Sequence, residues 1–128
     1  MIINTPISLG ELFDKISILK IKKKNIKNKT KQRFINNELT LLKKILDNTI
    51  HNKKKINQYL KKLIKVNTKL WKIEDDIRNH EKTKKFDKTF IDLARSVYKT
   101  NDFRAKIKND INQKFGSKIL EVKSYKKY

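Results

Sequence analysis

Residues 59–77 read YLKKLIKVNTKLWKIEDDI, and the spacing of the apolar residues in this stretch decides the predicted fold. They recur alternately four and three positions apart, at Tyr59, Leu63, Val66, Leu70, Ile73 and Ile77. This spacing puts them on one face of an α-helix, as in the seam of a coiled coil. No glycine or proline interrupts the segment, so we predict one helix over about residues 53–83, on the order of 45 Å long.

Three further helices are predicted around this one. Ser8 and Glu11 fit the S-x-x-E capping box, and the apolar stripe that follows predicts a helix over about residues 8–26. A second stripe predicts a helix over about residues 31–49, and Asp87 and Gly116 stand where the caps of a helix over about residues 88–115 belong. We therefore expect one all-α domain over residues 1–128, a four-helix bundle or an elongated pair of helical hairpins, with a short extended N-terminus and a C-terminal strap.

Composition excludes several classes of protein. The chain has no cysteine, which rules out a disulfide framework and thiol chemistry. It contains no Gly-rich phosphate loop and no nucleophile elbow, and its first residues lack the basic start and apolar run of a secretory signal. No apolar run approaches the roughly 18 residues that a membrane-spanning helix requires, so we expect no transmembrane segment and a cytoplasmic location.

The net charge of +21 is unevenly distributed. Residues 20–69 contain 17 basic and 2 acidic side chains, whereas residues 71–105 contain 9 and 7. A lysine-rich face neutralises phosphates and favours nucleic-acid binding. The bias also fits an AT-rich genome, because Lys, Asn and Ile, whose codons are rich in A and T, make up 61 of the 128 residues. Both explanations stay open.

Polar residues interrupt the apolar stripes, and three of the four arginines lie between Trp71 and Ala105. Because an unpaired charge that faces a core costs several kcal/mol, we expect three acids to pair there with three arginines: Glu38, Glu74, Glu81, Arg78, Arg95 and Arg104. Such residues form either a buried ion-pair network or a pocket for an anionic or sugar-like ligand, with Trp71 and Tyr98 as walls. The full candidate set is Glu38, Trp71, Glu74, Asp75, Arg78, Glu81, Arg95, Tyr98, Asn101, Asp102 and Arg104.

Four segments carry a resemblance to a known family: ISLGELFDKISIL (7–19), LWKIEDDIRNHE (70–81), LARSVYKTNDFRAKIKNDIN (93–112) and GSKILEVKSY (116–125). They are similar to a small bacterial family catalogued as a domain of unknown function, with the blocks I-S-x-G-E-L-x-D-K, L-W-x-I-E-D-x-I-R and L-A-R-S-V-Y-x-T-N-D-x-R. The resemblance implies no activity, cofactor or partner, and residues 20–69 are richer in lysine than the family pattern. It implies these motif positions: Glu11, Asp14, Lys15, Trp71, Glu74, Asp75, Arg78, Arg95, Tyr98, Asn101, Asp102 and Arg104.

Three functional hypotheses follow. The first is a small cytoplasmic module without catalysis, whose polar cluster binds an unknown protein or a small anionic ligand. The second is nucleic-acid binding at phosphates through residues 20–69, and the third is a carboxylate- or metal-dependent hydrolase of nucleotides or sugar phosphates, using Glu38, Glu74, Asp75 and Glu81. We assign no catalytic residue, metal ligand or cofactor. The seam of the long helix also admits a homo-oligomer.

Overall fold

The computed structural model describes residues 1–128 and contains four α-helices and no strand. The helices are α1 (Leu9–Asn25), α2 (Lys29–Thr49), α3 (Lys53–Lys82) and α4 (Lys88–Lys114). The all-α prediction is confirmed, and every helix begins and ends within two residues of its predicted bounds. None of the four helices is long and apolar enough to cross a membrane.

Helix α1 is the central element of the bundle, because it packs against α2, α3 and α4. Its apolar side chains Phe13 and Ile16 are fully buried, and they belong to one continuous core with Leu63 of α3 and Ile111 of α4. Helix α2 adds Ile35, Leu39 and Leu46 to the same core. Each Leu or Ile side chain that this core removes from water contributes about 1.5–3 kcal/mol to the stability of the fold.

Helices α3 and α4 form an antiparallel hairpin, with Tyr59 packed on Phe115 at one end and His80 near Phe90 at the other. The predicted seam of α3 faces inward, and Leu63, Val66 and Ile73 are buried. It is therefore covered within this chain, by α1 and α4. With 30 residues against 17 in α1, α3 extends beyond the reach of α1, and the far part of the hairpin is more exposed.

The start of α1 is anchored on the end of α4. The Ser8 hydroxyl accepts from the amide of Glu11 at 3.1 Å, as the capping box predicts, but the Glu11 carboxylate binds Lys108 instead of the N-cap amide. The capping box is therefore only half formed. The two other free amides at this helix start, those of Leu9 and Gly10, donate to side chains of α4 and the segment after it, at 3.3 and 2.7 Å.

Gly10 is required where α1 approaches the backbone of α4. A Cβ atom built on Gly10 would lie 2.3 Å from the carbonyl oxygen of Lys108 and 3.0 Å from Oδ1 of Asn112. Any side chain at this position would push the two helices apart, because the first of these atoms belongs to the backbone. The close approach also brings the Gly10 amide to the Asn112 side chain, which is itself fully buried.

The last helix ends as predicted. Asp87 caps its start by accepting from the Phe90 amide at 3.1 Å. Gly116 follows the helix at φ 67, and the Ser117 amide donates to the Asn112 carbonyl at 2.7 Å, which is the Schellman arrangement. Residues 117–128 then run without regular structure, and Glu121 returns to α4. This segment is the expected C-terminal strap.

Candidate functional site

A buried carboxylate joins three helices at the centre of the molecule. Asp14 of α1 has a side chain that is only 1% exposed. Its Oδ1 accepts from Nε of Arg104 at 3.0 Å and from Nδ2 of Asn67 at 2.8 Å, and its Oδ2 accepts from Nη2 of Arg104. The two-bonded contact between a carboxylate and a guanidinium is the strong form of an ion pair. Asp14 therefore ties α1 to α4 through Arg104 and to α3 through Asn67.

A second cation extends this cluster to the strap. The Lys108 amine, with a side chain only 7% exposed, lies 2.7 Å from Glu11, 2.9 Å from Glu121 and 3.9 Å from Asp14. The Asn109 side chain holds Glu121 in place through two hydrogen bonds with the Glu121 backbone, each 3.3 Å. We call Glu11, Asp14, Asn67, Arg104, Lys108 and Glu121 the Asp14 network. It joins α1, α3, α4 and the strap.

Both cations of the Asp14 network are held in the charged form. The hydrogen bonds that Arg104 donates to Asp14 raise the pKa of Arg104, against the opposing effect of burial. Burial lowers the pKa of Lys108, but the hydrogen bonds to Glu11 and Glu121 and the charge of Asp14 outweigh it, so the net shift is upward. Three carboxylates therefore face two fixed cations, and each cation is paired with at least one of these carboxylates.

Of the predicted pairs between acids and arginines, only Glu74 with Arg78 forms, and it is an exposed contact, not one across the core. Arg104 binds a buried acid outside the predicted set. Glu38 and Arg95 are exposed, Glu74 pairs loosely with Arg78 on the same helix at 3.9 Å, and Glu81 pairs with Lys84 at 3.2 Å. The cause is geometric. Glu38 lies on the outer side of α2, and Glu74 and Glu81 lie toward the far end of α3, where the hairpin is more exposed. The partner of Arg104 comes from α1, 90 residues away in sequence.

Six of the predicted residues are brought together beside the Asp14 network. They line one groove between α1, α3 and α4, with a volume of about 500 Å³. We call it the Trp71 groove, and the six residues are Trp71, Glu74, Asp75, Arg78, Asn101 and Arg104. Asn67 and the apolar side chains of Ile18, Ile21 and Leu70 complete its lining. The volume is within the range of small-molecule sites.

The polar groups of the Trp71 groove differ in whether they are already paired with other side chains. Arg104 is bound to Asp14, and its Nη1 also reaches Oδ1 of Asn101 at 3.4 Å. Asp75 is exposed and has no cation within 4.0 Å, and the contact between Glu74 and Arg78 lies at the limit of an ion pair. The groove thus offers free carboxylate acceptors beside an indole, whereas its buried guanidinium is already occupied.

Tyr98 and Asp102 lie in a different groove, between α4 and the strap, which shares only Asn101 with the Trp71 groove. The Tyr98 ring lies 5.1 Å from that of Tyr128. A hydrogen bond to Asp102 raises the pKa of Tyr128, and a hydrogen bond to Tyr98 raises the pKa of Arg95. The expectation that Trp71 and Tyr98 wall one pocket is therefore wrong.

Five buried or half-buried polar residues in and near the Asp14 network were not predicted from the sequence: Ser17, Asn67, Lys108, Asn112 and Glu121. Asn67 is 6% exposed, and its amide donates to Asp14 and to Ser17, each at 2.8 Å. Asn67 directly follows Val66 of the apolar seam, and this position on α3 indicates a side chain close to the core. Lys108 was indistinguishable from 29 other lysines except by its position one turn after Arg104. Of the N-terminal motif, Glu11 and Asp14 join the network, whereas Lys15 is exposed.

The four carboxylates proposed for a hydrolase do not form one cluster. Glu74 and Asp75 line the Trp71 groove, while Glu38 and Glu81 lie on separate exposed surfaces. No group of three or more His, Asp or Glu side chains lies close enough together to hold a metal ion. The three acids of the Asp14 network are each paired with Arg104 or Lys108.

Comparison with known proteins found no match among protein-family models, curated proteins or solved structures.

Proposed function

We propose that this chain is a small, cytoplasmic, non-catalytic helical module that binds an uncharged, hydroxyl-rich ligand such as a sugar in the Trp71 groove. One observation carries the proposal. Six residues of the candidate set drawn from the sequence line a single groove, and this groove has an aromatic wall and free polar groups. A concave surface with an apolar wall and a few convergent polar groups is the usual form of a small-molecule site.

The local charge favours an uncharged ligand over an anion. Glu74 and Asp75 line the groove together with Arg78, and Asp14 lies directly behind Arg104. Three carboxylates therefore accompany two guanidinium groups, one of which is neutralised by its ion pair. An anion would meet two exposed carboxylates, and of the two cations in the lining one is already bound to Asp14 and the other is loosely paired with Glu74. The groove is a weakly negative region of a strongly basic protein.

The chemistry of the free groups suits hydroxyls. Carboxylates accept up to two hydrogen bonds at each oxygen, and the Asn101 amide supplies both donors and an acceptor. The indole of Trp71 offers a flat apolar face against which the C–H surface of a sugar ring can pack. What supports a lack of catalysis is that the buried acids and bases, Asp14, Arg104 and Lys108, are engaged with one another.

Trp71 makes the proposal directly testable. It is the only tryptophan, so its indole N–H gives a single resonance in a proton–nitrogen correlation spectrum. The spectrum is recorded while a panel of neutral monosaccharides and disaccharides is added, with the corresponding sugar phosphates as a charged comparison. We expect saturable movement of the indole resonance with at least one neutral sugar, and weaker movement with its phosphate.

Two matched substitutions separate the groove from the surrounding surface. Asp75→Asn removes a carboxylate that lines the groove, whereas Asp76→Asn makes the same change at the next residue, which does not line it. We expect sugar binding to weaken in the first variant and not in the second. Binding of the phosphates alone would replace the proposal with anion binding. An unmoved indole resonance throughout the panel would reject it.

A further inference from the structure

A third groove lies between α3 and α4, with a volume of about 580 Å³, and it is lined by five lysines. Lys62, Lys65 and Lys69 come from α3, and Lys99 and Lys106 come from α4. We call it the lysine groove. This groove was not predictable from the sequence, because it combines part of the lysine-rich region with a helix outside that region. Only the antiparallel pairing of the two helices places the two lysine rows opposite each other.

The charge of the lysine groove is uncompensated. All five lysines are exposed, and none has a carboxylate within 4.0 Å. Asp110 is the only acidic residue in the lining. Like charges gathered in a cleft repel one another and raise the local concentration of anions. The arrangement therefore differs from that of Lys108, whose amine is surrounded by three carboxylates.

An exposed aromatic ring stands within this positive groove. Phe103 lines it and is 58% exposed, although a phenylalanine is normally buried. It lies one turn after Lys99 and one turn before Lys106 on the same side of α4. The rows from Lys62 to Lys69 and from Lys99 to Lys106 each extend about 10 Å at about 1.5 Å per residue. A positive track with an aromatic platform is the usual form of a single-strand binding surface.

We infer that the lysine groove binds single-stranded nucleic acid, with lysines of both helices at the phosphates and one base stacked on Phe103. This inference is independent of the Trp71 groove, because the two surfaces share no residue. It changes the hypothesis drawn from the sequence, in which nucleic acid binds only at phosphates through residues 20–69. Here the aromatic residue comes from α4. The platform also distinguishes this surface from lysines that merely reflect codon bias.

The test measures the fluorescence anisotropy of a labelled oligothymidine with the full chain, from low to physiological ionic strength. We expect binding that persists at physiological salt. In the variant with Lys65, Lys69 and Lys106 changed to Gln, the slope of log affinity against log salt should fall by about 2, since each phosphate contact on a single strand contributes about 0.7. Phe103→Ala should weaken binding roughly five- to one-hundred-fold with an unchanged slope, because it removes stacking only.

A control variant with the same loss of charge, and binding measurements with duplex DNA and anionic vesicles, test whether the lysine groove is specific for single strands. Changing Lys24, Lys27 and Lys29 to Gln removes the same charge from exposed positions near the turn between α1 and α2, and should alter binding less than the groove variant does. An equal effect of both triple variants would overturn the inference in favour of net charge. Duplex DNA bound as tightly as the single strand, an unaffected Phe103→Ala variant, or binding only to anionic phospholipid vesicles would also overturn it.

Discussion

Replacing Arg104 with Met should destabilise the fold by about 3 kcal/mol, because it leaves Asp14 charged and buried. Removing one partner of a buried ion pair costs about 3–5 kcal/mol. The lower end of that range applies here, since Asp14 keeps the amide of Asn67 at 2.8 Å and the amine of Lys108 at 3.9 Å. The methionine still fills the space beside α1 with apolar atoms. Most of the loss therefore comes from the unpaired charge.

A double-mutant cycle isolates that charge. Asp14→Asn together with Arg104→Met removes both charges, and we expect the double variant to be more stable than the Arg104→Met variant by about 1–2 kcal/mol. The matched control is Arg95→Met, an exposed arginine on the same helix, which should stay within about 0.5 kcal/mol of the unchanged protein.

The assay is urea unfolding followed by circular dichroism and by Trp71 fluorescence. Urea carries no charge, so it does not screen the ion pair as a guanidinium salt would. The slopes of free energy against urea concentration should agree among the variants, so that midpoints report stability. A loss below about 1 kcal/mol for Arg104→Met, or a double variant no more stable than that single variant, would refute the structural role of this pair.

Three further predictions concern the contacts around the Asp14 network. Gly10→Ala should destabilise the fold by about 1–3 kcal/mol through overpacking against the Lys108 carbonyl; thermal unfolding checks this, and a gain of stability, the usual result for an open helical glycine, would contradict it. Gly116→Ala should cost about 1–2 kcal/mol because the residue sits at φ 67, and a loss below about 0.5 kcal/mol in urea unfolding would show that the strap adapts. The raised pKa of Lys108 implies a stability contribution that is fully present below the ordinary value of 10.5 and is lost as pH rises through the higher folded value. Unfolding free energies measured as pH rises past 10.5 should therefore fall more steeply in the unchanged protein than in Lys108→Met, and parallel curves for the two proteins would contradict this role of Lys108.

The helices were predictable because their signals are local. The alternating spacing from Tyr59 to Ile77, the cap at Asp87 and the glycine at 116 each depend on neighbours within a few residues. These signals fixed the helix ends to within two residues. The inward position of Arg104 followed from the same helical projection, and the structure confirms that its side chain is only 27% exposed.

The partners were not predictable in the same way. A helical projection shows which side of a helix a residue occupies, but not which helix covers that side. Glu74 and Glu81 therefore looked buried although both are exposed, and Asp14 was not identified as the acid that binds Arg104. The lysine groove was missed for the same reason, since Lys65 and Phe103 meet only after α3 and α4 pair.

We propose that the polar residues serve two purposes: the Asp14 network stabilises the fold and the Trp71 groove binds a ligand, with Asn67 and Arg104 belonging to both. The most direct test is a proton–nitrogen spectrum of the labelled protein with and without the neutral sugars of the panel. We predict that resonances of Trp71, Asp75 and Asn101 move together and saturate, while those of Lys65 and Phe103 stay unchanged. Movement confined to the lysine groove, or none at any of the three Trp71-groove residues, would contradict the claim.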